Sequence, residues 1–457
     1  MKSLYKNILL AGATLMAASC SYTDLTPTDQ IDNPFVDVES LEQTVIGAYA
    51  TMSVSQIIRV SAVLSDDVIK GGQNGGAGDD SYQWNYTAST GDHNNVWSRQ
   101  YQVMNEVNRV LRGAEQVPTA NEDEKQRKAN SIASAKFLRA YNAFELLRFF
   151  SDTEKKDTYG IPYTKKPITL ETPGRNSVQE CYDFMLNDLE EARPMLAANA
   201  SKPAFASQPA ADALMARIYL YMHDYENAYN KAAEALRAVP MAKKDQYADI
   251  WSDKSNADII WKLPRNTGEE KIGTIFFQED NGSSFEASPE ILAAFAEKDI
   301  RRALFTDKGV DREGVPVDRI IKYKGTPENV GLSDGKMLRA SEMQLIMAEA
   351  KAQLGDLAAA NALLNELRSE RIDDWKNQDF NSQDELMNEI LLERRRELCY
   401  EGHRFFDMRR LGKELYKPLI DKTLEVGNFR WLMPIPQSEI QGNPTIAKQQ
   451  NPGYAHN

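Results

Sequence analysis

The 457-residue chain is poor in histidine and cysteine, with four of the first and three of the second. His93, His223, His403 and His456 form no H-x-x-x-H pair and no Cys/His cluster, so no zinc pattern is present. A G-x-S-x-G elbow, a Walker loop and a dinucleotide fingerprint are also missing. Three cysteines do not make a disulfide framework. Cys181 and Cys399 fall in helical patterns and read as two buried thiols, with a bond between them as the alternative. Positive charge is in deficit: 54 Lys+Arg stand against 67 Asp+Glu, a net −13. Such a chain repels phosphate backbones, which excludes nucleic acid as a partner. No cofactor motif remains. The 42% hydrophobic content still suffices for a large core.

Long apolar runs are lacking too. The one short run, Ile8 to Met16, cannot span a bilayer. It follows Lys2 and Lys6 and precedes Ala17, Ala18 and Ser19, the layout of a secretory signal. Cys20 comes next, and the whole resembles a bacterial lipoprotein signal, with Ala17 where leucine is usual. Residues 1–19 are therefore expected to be a signal peptide and Cys20 the lipidated N-terminus, the only membrane attachment. Residues 20–36, polar and with two prolines, read as a tether.

From residue 37 the apolar periodicity is mostly helical. It predicts helices over 41–52, 96–111, 131–150, 178–196, 210–239, 289–297, 340–354, 357–371 and 384–400. Strand patterns are few: 257–264, 273–278 and 319–324. Two helical pairs share one frame. Residues 212–240 place Ala216, Ala228 and Ala235 at tetratricopeptide spacing, and 342–371 repeat it with Ala348, Ala360 and Leu367. The expected fold is mainly α: tetratricopeptide-like pairs with inserted loops and a few short strands. The long loops are 66–95, 152–176 and 264–288, and loops of that length usually carry function.

Residues 393–410 read ERRRELCYEGHRFFDMRR, with six arginines, three glutamates and an aspartate. The positions Glu393, Arg394, Glu397, Leu398, Tyr400, Glu401, Gly402, Arg404, Asp407 and Arg410 resemble the C-terminal signature of SusD/RagB-like nutrient-binding lipoproteins. The resemblance extends, in the family's order, to FLRAYNAFELLRFF (137–150), YGIP (159–162), SPEILAAFAEKDIRR (288–302), LRASEMQLIMAEAKAQLGD and LMPIPQSEIQGNPTIAKQQNPGY (432–454). It implies an N-terminal half over 37–256 and a C-terminal half over 257–457, packed as one SusD-like α/α superhelical unit. It also implies an outer-membrane protein facing the cell exterior. Such a protein captures an oligosaccharide, or a peptide, and passes it to a TonB-dependent SusC-like transporter without catalysis. By the residues alone, the signature reads as structure. Glu393, Arg394 and Glu397 lie about a turn apart and are expected to exchange hydrogen bonds. The arginines would keep these carboxylates ionised and unfit as general acids.

No family position supplies ligand residues, so the loops must. The Gly-rich 70–95 stretch offers Asn74, Asp79, Asp80, Tyr82, Trp84 and Tyr86. Alternation of the three rings would put them on one face of an extended strand, where they could stack on sugar rings while Asn and Asp bond hydroxyls. Asp79 and Asp80 are also a candidate calcium pair. Asn281 and Phe285 mark a second candidate loop. Trp97, Tyr101, Trp251 and Trp261 read as framework, as do Phe276 and Phe277. The competing reading is a tetratricopeptide-like scaffold lipoprotein that binds only protein. Exposure of Tyr82, Trp84 and Tyr86 favours ligand capture; their burial favours the scaffold.

Overall fold

The computed structural model describes residues 35–168, 171–276 and 282–454. The expected signal peptide, Cys20, most of the tether, Phe277, Asn281 and His456 lie outside them. Helices dominate, and many start at a side chain suited to the task. Asp37, Asn121, Ser177, Ser207, Asp224, Asp356 and Ser382 each accept a first-turn backbone N–H. The expected helix over 131–150 is longer, Glu122–Phe150. Its first turns are largely exposed and carry no apolar period, while from Ser131 onward it is enclosed on nearly every side. Val54–Leu64 and Lys244–Trp251 are further helices that the apolar pattern had not marked.

The two tetratricopeptide-like pairs are Gln208–Tyr221 with Tyr225–Ala238 and Ala340–Gln353 with Leu357–Ser369. They are far apart in sequence and adjacent in space, because Ala340–Gln353 packs on Tyr225–Ala238 as well as on its own partner. Ala216, Ala228, Ala235, Ala348 and Ala360 are fully buried at these contacts. Small side chains let the helix backbones approach.

The described strands pair only in twos. Ile259–Leu263 pairs antiparallel with Gly335–Arg339, and Thr306–Val310 with Pro316–Ile320. Val68–Lys70 pairs with Phe285–Ala287, which joins two of the long loops. The strand expected at 273–278 is instead a 3-10 turn, Ile272–Ile275, where described. Gly273 donates its N–H to Gly331 O rather than to a ladder.

Residues 393–410 form the end of the helix Gln383–Leu398, a turn, and the helix Arg404–Arg410. Gly402 takes φ +89°, in the left-handed region that glycine reaches at a helix end, and Tyr400 takes φ +63°. The hydrogen bonds expected among Glu393, Arg394 and Glu397 are not made. Glu393 and Glu397, four apart, present like charges on one helix face; Arg396 of the same helix reaches Glu393 at 3.1 Å, and the other partners come from elsewhere. Glu393 is bridged by Arg301 and Arg368, at 2.7 and 2.8 Å. Glu397 is bridged by Arg339 at 2.9 Å and by Arg301 and Arg371 at 3.1 Å. Arg394 holds Asp407 across the turn at 3.0 Å. Arg404 pairs with Asp66 at 2.9 Å and Arg395 with Asp67 at 2.7 Å. Burial alone would raise the Glu393 pKa, but Arg301, Arg368 and Arg396 outweigh it and hold it at about 2. Glu397 is likewise held well below the usual carboxylate range against the effect of its burial. These carboxylates are ionised, as the arginine-rich sequence implied. Cys181 and Cys399 are both buried and free.

Candidate functional site

Tyr82, Trp84 and Tyr86 do not share an exposed strand face. They are 2%, 3% and 1% exposed. The segment is a one-turn helix, Asp79–Tyr82, followed by Trp84 at φ +53°, so the i, i+2 alternation of a strand never forms. Two of the rings, Tyr82 and Trp84, serve an interior cation instead. Lys417 is buried and donates to Val63 O at 2.6 Å and Tyr82 O at 2.9 Å. Its ammonium lies 4.3 Å from the Tyr82 ring centroid and 4.7 Å from that of Trp84. Burial pushes the Lys417 pKa well below the usual lysine range, and Asp66 opposes this only through space. Trp84 Nε1 donates to Leu64 O at 2.9 Å. None of the three rings has a face free for a sugar.

The other residues of that loop are also engaged. Asn74 Nδ2 donates to Ala77 O and Ser284 O, pinning the glycine-rich turn to the second candidate loop. Asp79 pairs with Lys70 at 2.5 Å, and Asp80 accepts from Thr90 at 3.3 Å. Among the described residues no trio of His, Cys, Asp or Glu is placed to hold a metal ion. Phe285 is 1% exposed, in the strand opposite Lys70, so it is core rather than ligand surface. Asn281 lies outside the described residues. Phe276, Trp97, Trp251 and Trp261 are buried framework, as expected, and Tyr101 is partly so.

Exposed rings are found elsewhere. A cleft of about 700 Å³ is lined by the 152–159 segment, Arg409, the 427–432 segment, and Asn451 with Pro452. That volume suits a small ligand. Tyr159 is 49% exposed and Phe429 36%. Asp152, Glu154, Asp157, Thr158 and Asn428 line the same cleft, as does Lys155. An aromatic ring offers an apolar face to sugar C–H groups, while carboxylates, amides and hydroxyls match sugar hydroxyls.

Distant parts of the chain hold this cleft open. Arg175 donates to Gly160 O at 2.7 Å, Tyr159 O at 3.0 Å, Phe150 O at 2.8 Å, Gln449 O at 2.7 Å and Asn451 Oδ1 at 2.8 Å. One guanidinium thus ties the 150–160 segment to the C-terminal segment. Burial lowers its pKa to about 10, since carbonyls rather than carboxylates surround it. Gly453 has φ +84°, and a Cβ there would meet Phe429 Cγ at 2.4 Å. Only glycine lets the chain pass under that ring. Tyr86 stacks on Tyr454 at 6.4 Å, and Tyr454 stands against Phe429. One ring of the favoured loop therefore supports the cleft from behind. Length alone points to the 152–176 loop, and neither Tyr159 nor Phe429 carries a local signal of exposure.

A model described as the SusD family matches residues 306–454, and one described as starch-binding associating with outer membrane matches residues 22–220. SusD-like protein P2 of Formosa agariphila is 24% identical, over 96% of this chain and 98% of its own. SusD-like protein P38 of the same organism is 26% identical over 71% of this chain and 74% of its own. Among solved structures, a SusD superfamily protein from Bacteroides thetaiotaomicron superposes with a TM-score of 0.82 at 24% identity, covering 91% of this chain and all of its own. Surface glycan-binding protein A from Bacteroides uniformis superposes at 0.77 and 17% identity, over 90% of this chain and 99% of its own. The two family models together reach from the N-terminal helices through the arginine-rich signature to the closing Asn-Pro-Gly-Tyr segment: the chain belongs to the SusD/RagB-like family.

Proposed function

We propose that this protein is a carbohydrate-binding lipoprotein of the outer membrane, anchored through Cys20. It captures an oligosaccharide in the 152–159/427–432 cleft and delivers it to a TonB-dependent SusC-like transporter. The observation that carries the binding role is the pair of exposed rings, Tyr159 and Phe429, in a cleft with carboxylate, amide and hydroxyl groups. The family model described as starch-binding and the glycan-binding structural neighbour support the ligand class and the membrane association. The lipoprotein signal at 1–20 and the family resemblance support anchoring and delivery.

The role is binding without turnover. Glu393 and Glu397, the paired carboxylates of the signature, are buried among guanidiniums, where neither can release a proton to a substrate. A protein-only scaffold is the second reading, and burial of Tyr82, Trp84 and Tyr86 favours it. Titration calorimetry against a panel of oligosaccharides separates the two. Affinity that falls in Tyr159→Ala and Phe429→Ala supports capture at the cleft. A panel with no binder supports the scaffold.

A further inference from the structure

The cleft holds one cation whose charge the protein leaves unanswered. Arg410 is paired with Asp407 and Glu349. Its neighbour Arg409 has no carboxylate at ion-pair distance among the described residues. It donates from Nη1 to Trp431 O at 3.1 Å and from Nη2 to Thr153 Oγ1 at 3.2 Å, and its buried Nε has no partner. A guanidinium has five N–H donors. One hydrogen on each terminal nitrogen is thus left uncommitted in a group that lines the cleft.

Two of the three acidic residues that line the cleft are already paired. Asp152 pairs with Lys155 at 2.9 Å, and Glu154 lies 2.7 Å from His223. Asp157 is exposed. Burial lowers the Arg409 pKa, and the fields of Tyr221, Asp152 and Glu154 do not cancel that effect. An incoming carboxylate would relieve the uncompensated charge, because it matches the planar fork of a guanidinium.

We propose that the cleft selects an acidic oligosaccharide, with the carboxylate of a uronic acid residue seated on Arg409 while the Tyr159 and Phe429 rings receive the sugar faces. This rests on the reading of the cleft as the carbohydrate site and adds the class of sugar.

The test uses the full chain in detergent and a glycan array of uronate oligosaccharides, each beside its methyl ester, with calorimetry on the pairs that bind. The acids bind, and their esters bind at least tenfold more weakly. Arg409→Gln lowers acid affinity at least tenfold and lowers ester affinity by a smaller factor, so the acid-over-ester preference collapses. Arg409→Lys, which keeps charge but loses the fork, falls between. Esters that bind as tightly as acids, or acid affinity that survives Arg409→Gln, overturn the proposal. The acid–ester comparison on the unsubstituted protein needs no variant, so an unstable substitution leaves the test intact. Neutral-glycan binding that is lost in Tyr159→Ala sinks the charge inference and leaves the cleft as the site. Binding of neither acid nor ester sinks both.

Discussion

Tyr454 stands edge-on to Phe429, with ring centroids 5.0 Å apart and planes at 80°. The contact fixes an exposed ring of the cleft by a residue near the chain's end. Tyr454 OH donates to Leu432 O at 2.7 Å, which ties the closing segment to the 427–432 segment. The cleft is a tertiary product: its rings are presented by segments almost three hundred residues apart.

Removing either exposed ring tests the site directly. Phe429→Ala and Tyr159→Ala should each cost about 0.5–1.5 kcal/mol of glycan binding, up to roughly tenfold in affinity. Thermal stability should fall less than on loss of a fully enclosed ring, because Tyr159 is 49% exposed and Phe429 36%. Calorimetry paired with a melting curve reads both quantities.

Trp84→Ala should do the reverse. It removes a fully enclosed ring, the Leu64 hydrogen bond and half of the aromatic enclosure of Lys417. The expected loss is about 3–5 kcal/mol of stability. Urea unfolding measures it; an unchanged midpoint would show that Trp84 is not the interior ring described.

Gly453→Ala should damage binding through backbone geometry. The substituted residue must hold φ +84° and displace Phe429, which lies 2.4 Å from the new methyl position. Glycan affinity should fall toward that of Phe429→Ala, with a lowered melting temperature besides.

Arg394→Ala leaves a buried Asp407 with Arg410 as its remaining cation. Breaking one partner of a buried pair typically costs about 3–5 kcal/mol. The Arg410 contact places the expected loss toward the lower end. A melting temperature equal to that of the unsubstituted protein would contradict the structural role of the arginine-rich stretch.

Acid should destabilise the fold in two stages. Burial lowers the His93 pKa from 6.5 to about 3, so the unfolded chain takes up this proton first. Stability from the neutral imidazole is complete above about pH 6.5 and is lost as pH falls toward 3. Glu393, held at about 2 against an ordinary 4.5, adds a second loss as pH falls below 4.5. Asp66 adds to it in the same direction: Arg404 and Arg395 outweigh its burial and hold it at about 2. Urea unfolding from pH 7 to 3 reads both stages. His93→Gln should weaken the upper stage without abolishing it, because burial and the nearby arginines also hold the His403 pKa well below 6.5, and should leave the lower one.

Much of the frame was legible in the residues. The paired small side chains of 212–240 and 342–371 announced close helix packing, and the arginines around Glu393 and Glu397 announced ionised carboxylates. Their partners were not legible. Arg301, Arg339 and Arg371 reach Glu397 from three separate segments, and a local pattern carries no record of them. The ligand loop was misplaced for a related reason. Alternation of Tyr82, Trp84 and Tyr86 marks one face only if the backbone is extended, and here it turns through Trp84 at φ +53°.

What the sequence determined by itself was the mainly helical architecture and the family, because periodicity and ordered motifs are local properties; the arginines that hold Glu393 and Glu397 ionised come mostly from remote segments. Which rings meet solvent was decided only by the tertiary structure. Tyr82 and Trp84 are enclosed because Lys417, more than three hundred residues along the chain, needs carbonyls and aromatic faces to replace water. Tyr159 and Phe429 stay exposed because Arg175 and Gly453 draw two remote segments together around open space.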